Sequence, residues 1–407
     1  MTDVAAPGRE FKIIGLVGFA HGASHFYQLV LPMLFPVLKD RFGVSYTELG
    51  AMMTMMWTVS GLCQTAAGFM VDRHGARTVL HAGIALMAGS YVLMSMAPNF
   101  IMLLACAALA GAGNSVFHPA DYSILTARIS AARVGRAYSI HTFCGNIGWI
   151  LAPTVVLALE HAFGWRGALA GVGLIGLVFL GFMMLQGDML PNDNQASRAL
   201  EGDKTSQPLP VSVLLSLPVL LCFAYFTMLA LSSAALQGFL PTVLNALHGT
   251  PMEVAGTALT AYLVGQGVGI LTGGVVADRG VRPDYIVAVG LAIAAALIVA
   301  VGQVNWGATG LIGLLALSGF FAGTTTPSRD LLVRGAAPRG STGSVFGFVY
   351  SGLDIGGAIG PLVIGMMLDN GHPEYVFWYV AIVLFCGIAT AFSLRQAGAK
   401  RSKLAIS

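Results

Sequence analysis

The sequence predicts an all-α membrane protein with twelve transmembrane helices arranged as two six-helix parallel repeats. Three observations support this. Of the 407 residues, 56% are hydrophobic and only 10% charged, against about 25% charged in a soluble chain. The apolar residues fall in blocks of about 20 or more, each long enough to cross a bilayer as a helix. The second half of the chain also repeats charged and small residues of the first at a single offset.

In chain order the spans cover roughly 13–38, 47–70, 78–97, 100–128, 134–159, 165–187, 211–245, 252–277, 284–303, 306–334, 341–368 and 373–395. The first block is too long for a signal-peptide core and reads as an uncleaved span. The long polar stretch from Asp188 to Pro210 reads as a flexible linker. The expected organisation is therefore an N-terminal bundle at 1–187, a cytoplasmic linker at 188–210 and a C-terminal bundle at 211–407. All five cysteines sit within apolar segments. None has metal-ligand spacing, so they read as free packing thiols.

Orientation follows from the basic residues. One set of loops and tails carries 17 of the 21 Lys and Arg residues and the opposite set carries Lys39, Arg41 and Arg166, with Arg329 inside a span. Both termini and the linker are thus expected in the cytoplasm of a bacterial-type inner membrane, which requires an even number of spans.

The repeat is read from motifs. Gly68-x-x-x-Asp72-Arg73-x-Gly75-x-Arg77 ends span 2, and Gly274-x-x-x-Asp278-Arg279-Gly280-x-Arg282 ends span 8. A shift of 208 residues takes Pro119 to Pro327, Gly135 to Gly343, Asn146 to Asp354, Gly148 to Gly356 and Pro153 to Pro361. Each half has six spans, so both enter the membrane the same way, as repeats related by an axis along the membrane normal.

A parallel six-plus-six repeat with GxxxDRxGxR after span 2 resembles the major facilitator superfamily of secondary transporters. Gly111-Ala-Gly-Asn-Ser-Val-Phe-His118-Pro119 in span 4 is similar to the fosmidomycin-resistance type of drug exporter, with weaker likeness at Ser24-His25 and Phe346-Gly347-Phe348. In this chain Ala120 separates His-Pro from the acid, Asp121. The resemblance implies a central cavity lined by spans 1, 4, 7 and 10. It also implies a conformational latch in which Asp72 faces the N-terminus of span 11 and Asp278 that of span 5. Those helix dipoles favour an anion, and Arg73, Arg77, Arg279 and Arg282 complete the two motifs.

Ionisable groups inside a span are costly and mark function by default. Asn114, His118, Asp121, Leu125 and Arg128 share one face if span 4 is a continuous helix. Asp121 then lies roughly 10 Å and His118 roughly 15 Å inside the Arg128 end. His21, His25 and Gln28 share a face of span 1. His141 and Asn146 in span 5, Arg329 in span 10 and Asp354 in span 11 complete the candidate substrate and proton cavity. His titrates near neutral pH, which suits a relay. His21 and His25 at i, i+4 are a possible metal pair, but no carboxylate or Cys on that helix completes a ligand set, so no metal is expected. The shift that relates the halves takes Asp121 to Arg329, two opposite charges suited to meeting as a gate.

These features predict a secondary active transporter working by alternating access. Its expected task is proton-coupled export of a small amphiphilic or anionic compound. An uptake symporter for a small organic anion is the alternative. A non-transporting sensor on the same fold would be expected to carry a large extra soluble domain or tail. An intramembrane enzyme using His118 and Asp121 would need a nucleophile or a complete metal set on facing helices. No glycine loop followed by Lys suggests ATP-driven transport. The chain is expected to be a non-enzyme without cofactors, a monomer, and to meet a small-molecule substrate, protons and lipid but no nucleic acid.

Overall fold

The computed structural model describes residues 7–130, 133–186, 189–190, 214–279, 281–329, 332 and 342–404. Apart from Met189 and Leu190, the proposed linker lies outside these residues. Thirteen helices are laid out among the described residues: α1 Pro7–Met33, α2 Phe35–Phe42, α3 Tyr46–His74, α4 Ala76–Ser95, α5 Phe100–Asn114, α6 Phe117–Arg128, α7 Val134–Leu185, α8 Leu217–His248, α9 Met252–Asp278, α10 Pro283–Gln303, α11 Gly307–Thr324, α12 Thr342–Asp369 and α13 Glu374–Leu404. Large apolar side chains such as Phe19, Leu62, Ile101, Val178, Leu185 and Ile382 stand exposed on them. A soluble monomer does not present so much apolar surface, whereas helices facing lipid do.

The twelve spans are carried by these helices with local interruptions. Span 1 is broken at Leu34, between α1 and α2. Pro36 has no N–H for the Pro32 carbonyl, and in the first turn of α2 none is needed. Span 4 is not the continuous helix expected from the sequence. It breaks at Ser115 and Val116, because Pro119 offers no N–H to the Ser115 carbonyl four residues back. Its repeat partner Pro327 follows a matching turn at Thr325, after α11. Spans 5 and 6 run together as α7 and change direction at Gly164, whose φ of 67° and ψ of 174° are not helical.

Contacts divide the chain into two units: Met1–Val44 with Ala51–Thr205, and Ser45–Gly50 with Ser206–Ser407. In the first unit α1 and α7 touch backbone to backbone. A Cβ on Gly148 would lie 1.9 Å from the Gly22 carbonyl oxygen. In the second unit α9 and α11 interlock over three turns. Cβ atoms on Gly265, Gly269 and Gly273 would meet the carbonyls of Ala316, Phe320 and Thr324, while those on Gly319 and Gly323 would meet Tyr262 and Gln266. Small residues give helices this close approach in a membrane.

The second unit also holds a fully capped helix start. Ser45 and Glu48 form a capping box: the Ser45 N–H donates to Glu48 Oε2 at 2.7 Å, and the Glu48 N–H donates to Ser45 Oγ at 3.1 Å. The next two donors, the N–H groups of Tyr46 and Thr47, are taken by the Asp369 carboxylate at 2.8 and 2.7 Å. Such pairing satisfies the orphan N–H groups of a first turn.

Candidate functional site

The first unit contains a continuous polar belt built from α1, α3, α5, α6 and α7. It begins at Ser60, whose hydroxyl accepts from Asn114 Nδ2 at 2.9 Å. Asn114 Oδ1 accepts from Ser24 Oγ at 3.0 Å and Gln28 Nε2 at 3.5 Å. Gln28 Oε1 accepts from the Trp149 indole N–H at 3.0 Å. Trp149 stacks on His25, with ring centroids 4.2 Å apart. The His25 ring lies 4.3 Å from that of His21, which in turn stacks on His141 at 3.7 Å. His141 Nε2 lies 3.0 Å from Asp121 Oδ2, and His21 Nδ1 lies 3.6 Å from the same oxygen.

Buried polar groups ordinarily find partners, and the upper belt follows that rule. The lower end does not. Asp121, His21 and His141 are 0%, 3% and 1% exposed. Yet Asp121 Oδ1 and the Nδ1 atoms of His21, His25 and His141 are buried without a hydrogen-bond partner among the described residues.

The sequence-predicted residues separate into groups. His21, His25, Gln28, Asn114, Asp121 and His141 join the belt. His118 is exposed, with its ring 5.2 Å from that of His21, so it flanks the cluster on an open side. Asn146 instead donates to the Thr142 carbonyl on its own helix at 3.2 Å. In the second unit the Arg329 guanidinium lies over the Phe226 ring at 4.7 Å. Asp354 is half-buried within α12. The side chains of Asp72 and Asp278 lie outside the described ones. Arg73 and Arg279 are exposed, while Arg282 is paired locally with Asp284 at 2.6 Å and lies over Tyr285 at 4.1 Å.

Three functional candidates escaped the sequence reading. Ser60 and Trp149 tie the belt together, but neither stands out among serines and tryptophans in apolar helices. Glu10, before the first apolar block, is 1% exposed. Its carboxylate accepts from the Ser130 N–H at 2.9 Å and pairs with the Arg133 guanidinium. The Ser130 N–H is the main influence holding its carboxyl below the usual carboxylate range, helped by Arg133. The signal for it was an acid just ahead of a span and a basic residue in a loop, both common.

The polar belt is buried inside one bundle of apolar helices, where ionisable and hydrogen-bonding groups are costly and mark function. The Major Facilitator Superfamily model matches residues 15–251 and 221–406, and the chain belongs to that family. It is a secondary transporter rather than an enzyme. It is 26% identical to the fosmidomycin resistance protein of Escherichia coli (strain K12), over 94% of this chain and 93% of that protein. It is 25% identical to the multidrug resistance protein MdtG of Enterobacter lignolyticus (strain SCF1), over 96% and 93%. It is 23% identical to a probable L-galactonate transporter of Escherichia coli (strain K12), over 87% and 81%. The fold is also that of a bacterial homolog to the human lysosomal transporter Spinster, with a TM-score of 0.74 at 14% identity, over 97% of this chain and 96% of that one.

Proposed function

We propose that this chain exports a small amphiphilic or anionic compound from the cytoplasm in exchange for protons, by alternating access, from a bacterial inner membrane with both termini inside. The resistance proteins among its relatives support export. The observation that carries proton coupling is Asp354. Among the described residues none gives this carboxyl a hydrogen bond or an ion pair, and it lies well inside α12. A bare carboxylate at the centre of a span costs on the order of 3 kcal/mol by insertion scales. Protonation removes that charge, so a lone intramembrane acid can couple its own neutralisation to a change of state. The belt of Ser24, Gln28, Asn114 and Trp149 supplies donors and an aromatic face for the substrate, and the Asp72 and Asp278 motifs serve as the latch.

Everted membrane vesicles test this. With an acid lumen, antiport predicts accumulation of fosmidomycin or another anionic or amphiphilic compound. Asp354→Asn should abolish the response to the pH gradient while substrate exchange persists. An unchanged gradient response in Asp354→Asn would remove this residue from the coupling. The relatives named as probable L-galactonate and sulfoacetate transporters favour a second reading, proton-driven uptake of an organic anion. That reading predicts accumulation in right-side-out vesicles with an acid exterior.

A further inference from the structure

We propose that His21, Asp121 and His141 form a binding site for one borderline divalent cation of the Zn²⁺ and Co²⁺ class. The three residues sit on three helices, α1, α6 and α7, and one ligand atom from each lies within 4.8 Å of the others. Tetrahedral Zn²⁺ with bonds of about 2.0–2.1 Å places its ligand atoms about 3.3 Å apart. The two separations to Asp121 Oδ2, 3.0 Å from His141 Nε2 and 3.6 Å from His21 Nδ1, lie on either side of that value. Two imidazoles and a carboxylate are the donor types that such ions select, whereas Mg²⁺ and Ca²⁺ demand mostly oxygen.

The unmet hydrogen-bonding groups point the same way. His21 Nδ1 and Asp121 Oδ1 are buried without partners. The hydrogen bond between Asp121 Oδ2 and His141 Nε2 leaves His21 Nδ1 and Asp121 Oδ1 unmet. A cation held by all three side chains would take His21 Nδ1 as a ligand and neutralise the carboxylate. His25 and His118 are at hand for the fourth position, their rings 4.3 and 5.2 Å from that of His21. Space for the cluster is made by Gly145. A Cβ there would lie 2.7 Å from His25 Nδ1 and 3.0 Å from His21 Cδ2. The sequence placed His21 and His25 as an incomplete pair on one helix. The missing carboxylate and a further histidine come from two other helices.

The site is independent of Asp354, which lies in the other unit. Its test uses tag-free, purified full-length protein titrated with Co²⁺. The expected result is one Co²⁺ per chain with the intense visible bands of four-coordinate cobalt, displaced by Zn²⁺. His21→Ala and His141→Ala should each lose the bands, and Asp121→Asn should weaken binding at least tenfold. His161→Ala, an exposed histidine elsewhere, should leave binding unchanged. Size-exclusion profile and melting temperature establish that each variant is folded. Should the triad variants fail to fold, Gly145→Ala takes their place, since crowding His21 and His25 should weaken binding without removing a ligand. Folded wild-type protein that binds no Co²⁺, that gives only the pale bands of six-coordinate cobalt, or whose bands survive loss of a triad histidine would overturn the proposal. Loss of metal binding in a variant that still answers the pH gradient would leave the Asp354 reading intact.

Discussion

Asn114 joins three helices of the first unit through one side chain: its Oδ1 accepts from Ser24 at 3.0 Å while its Nδ2 donates to Ser60 at 2.9 Å. Interhelical hydrogen bonds in membranes contribute about 0.6 kcal/mol on average and about 1.7 at most. Asn114→Leu removes both, along with the longer bond from Gln28, and leaves Ser24 and Ser60 facing an apolar group. A loss of about 1–2 kcal/mol is expected, read as a lower midpoint in denaturant unfolding in mixed micelles. An unchanged midpoint would mean that water serves these serines equally well.

Glu10 gives a pH-dependent prediction. Its carboxyl is held below the ordinary value of 4.5, chiefly by the Ser130 N–H. A depressed folded value means that the bond is fully present above the unfolded value and is lost as pH falls through the folded one. Glu10→Gln should therefore melt below wild type at neutral pH. The two melting curves should converge as the medium is acidified below 4.5. A gap that is constant across pH would show that packing of the side chain, rather than its charge, is what matters.

Gly148→Val should be among the most damaging single changes. Even a Cβ there would sit 1.9 Å from the Gly22 carbonyl oxygen, and neither backbone can yield without separating α1 from α7. Overpacking a close contact commonly costs 1–3 kcal/mol or more. Gly15→Val is the matched control, because nothing lies within 4 Å of its Cβ position. Membrane yield and melting temperature should fall for the first and hold for the second.

Asp369→Ala would remove the carboxylate that accepts from the Tyr46 and Thr47 N–H groups at the start of α3. Loss of a capping side chain costs about 0.5–2 kcal/mol. Asp369→Asn, which keeps an acceptor oxygen, should recover part of the loss. If Asn is no better than Ala, the charge at the helix terminus accounts for most of the effect.

The helices were legible in the sequence because lipid demands apolar blocks of fixed length, and Asp188–Pro210 interrupts those blocks. The breaks were partly legible. Pro119 and Pro327 stood out as a repeated pair, yet a shared helical face was still drawn through Asn114 and Asp121. The two side chains meet different ends of the belt, with the interruption at Ser115 and Val116 and about 10 Å of rise between them. Depth along each helix could be counted at a fixed rise per residue, which placed Asp121 and His118 about 10 and 15 Å inside the Arg128 end. Rotation of each helix about its axis could not, since packing between helices sets it. That is why His141 and Asn146, five residues apart on α7, were read alike, although His141 joins the cluster while Asn146 bonds its own helix.

The interlocked glycines of α9 and α11 have a mechanical consequence. With carbonyls seated where Cβ atoms would be, the two backbones touch directly at these five glycines, with no side chain between them there to absorb shear. Sliding one along the other would drive each carbonyl over the next backbone ridge, so the pair resists bending as a laminated beam does, more stiffly than two separate rods. Rotation of the whole beam is therefore expected to cost less than flexing of either helix.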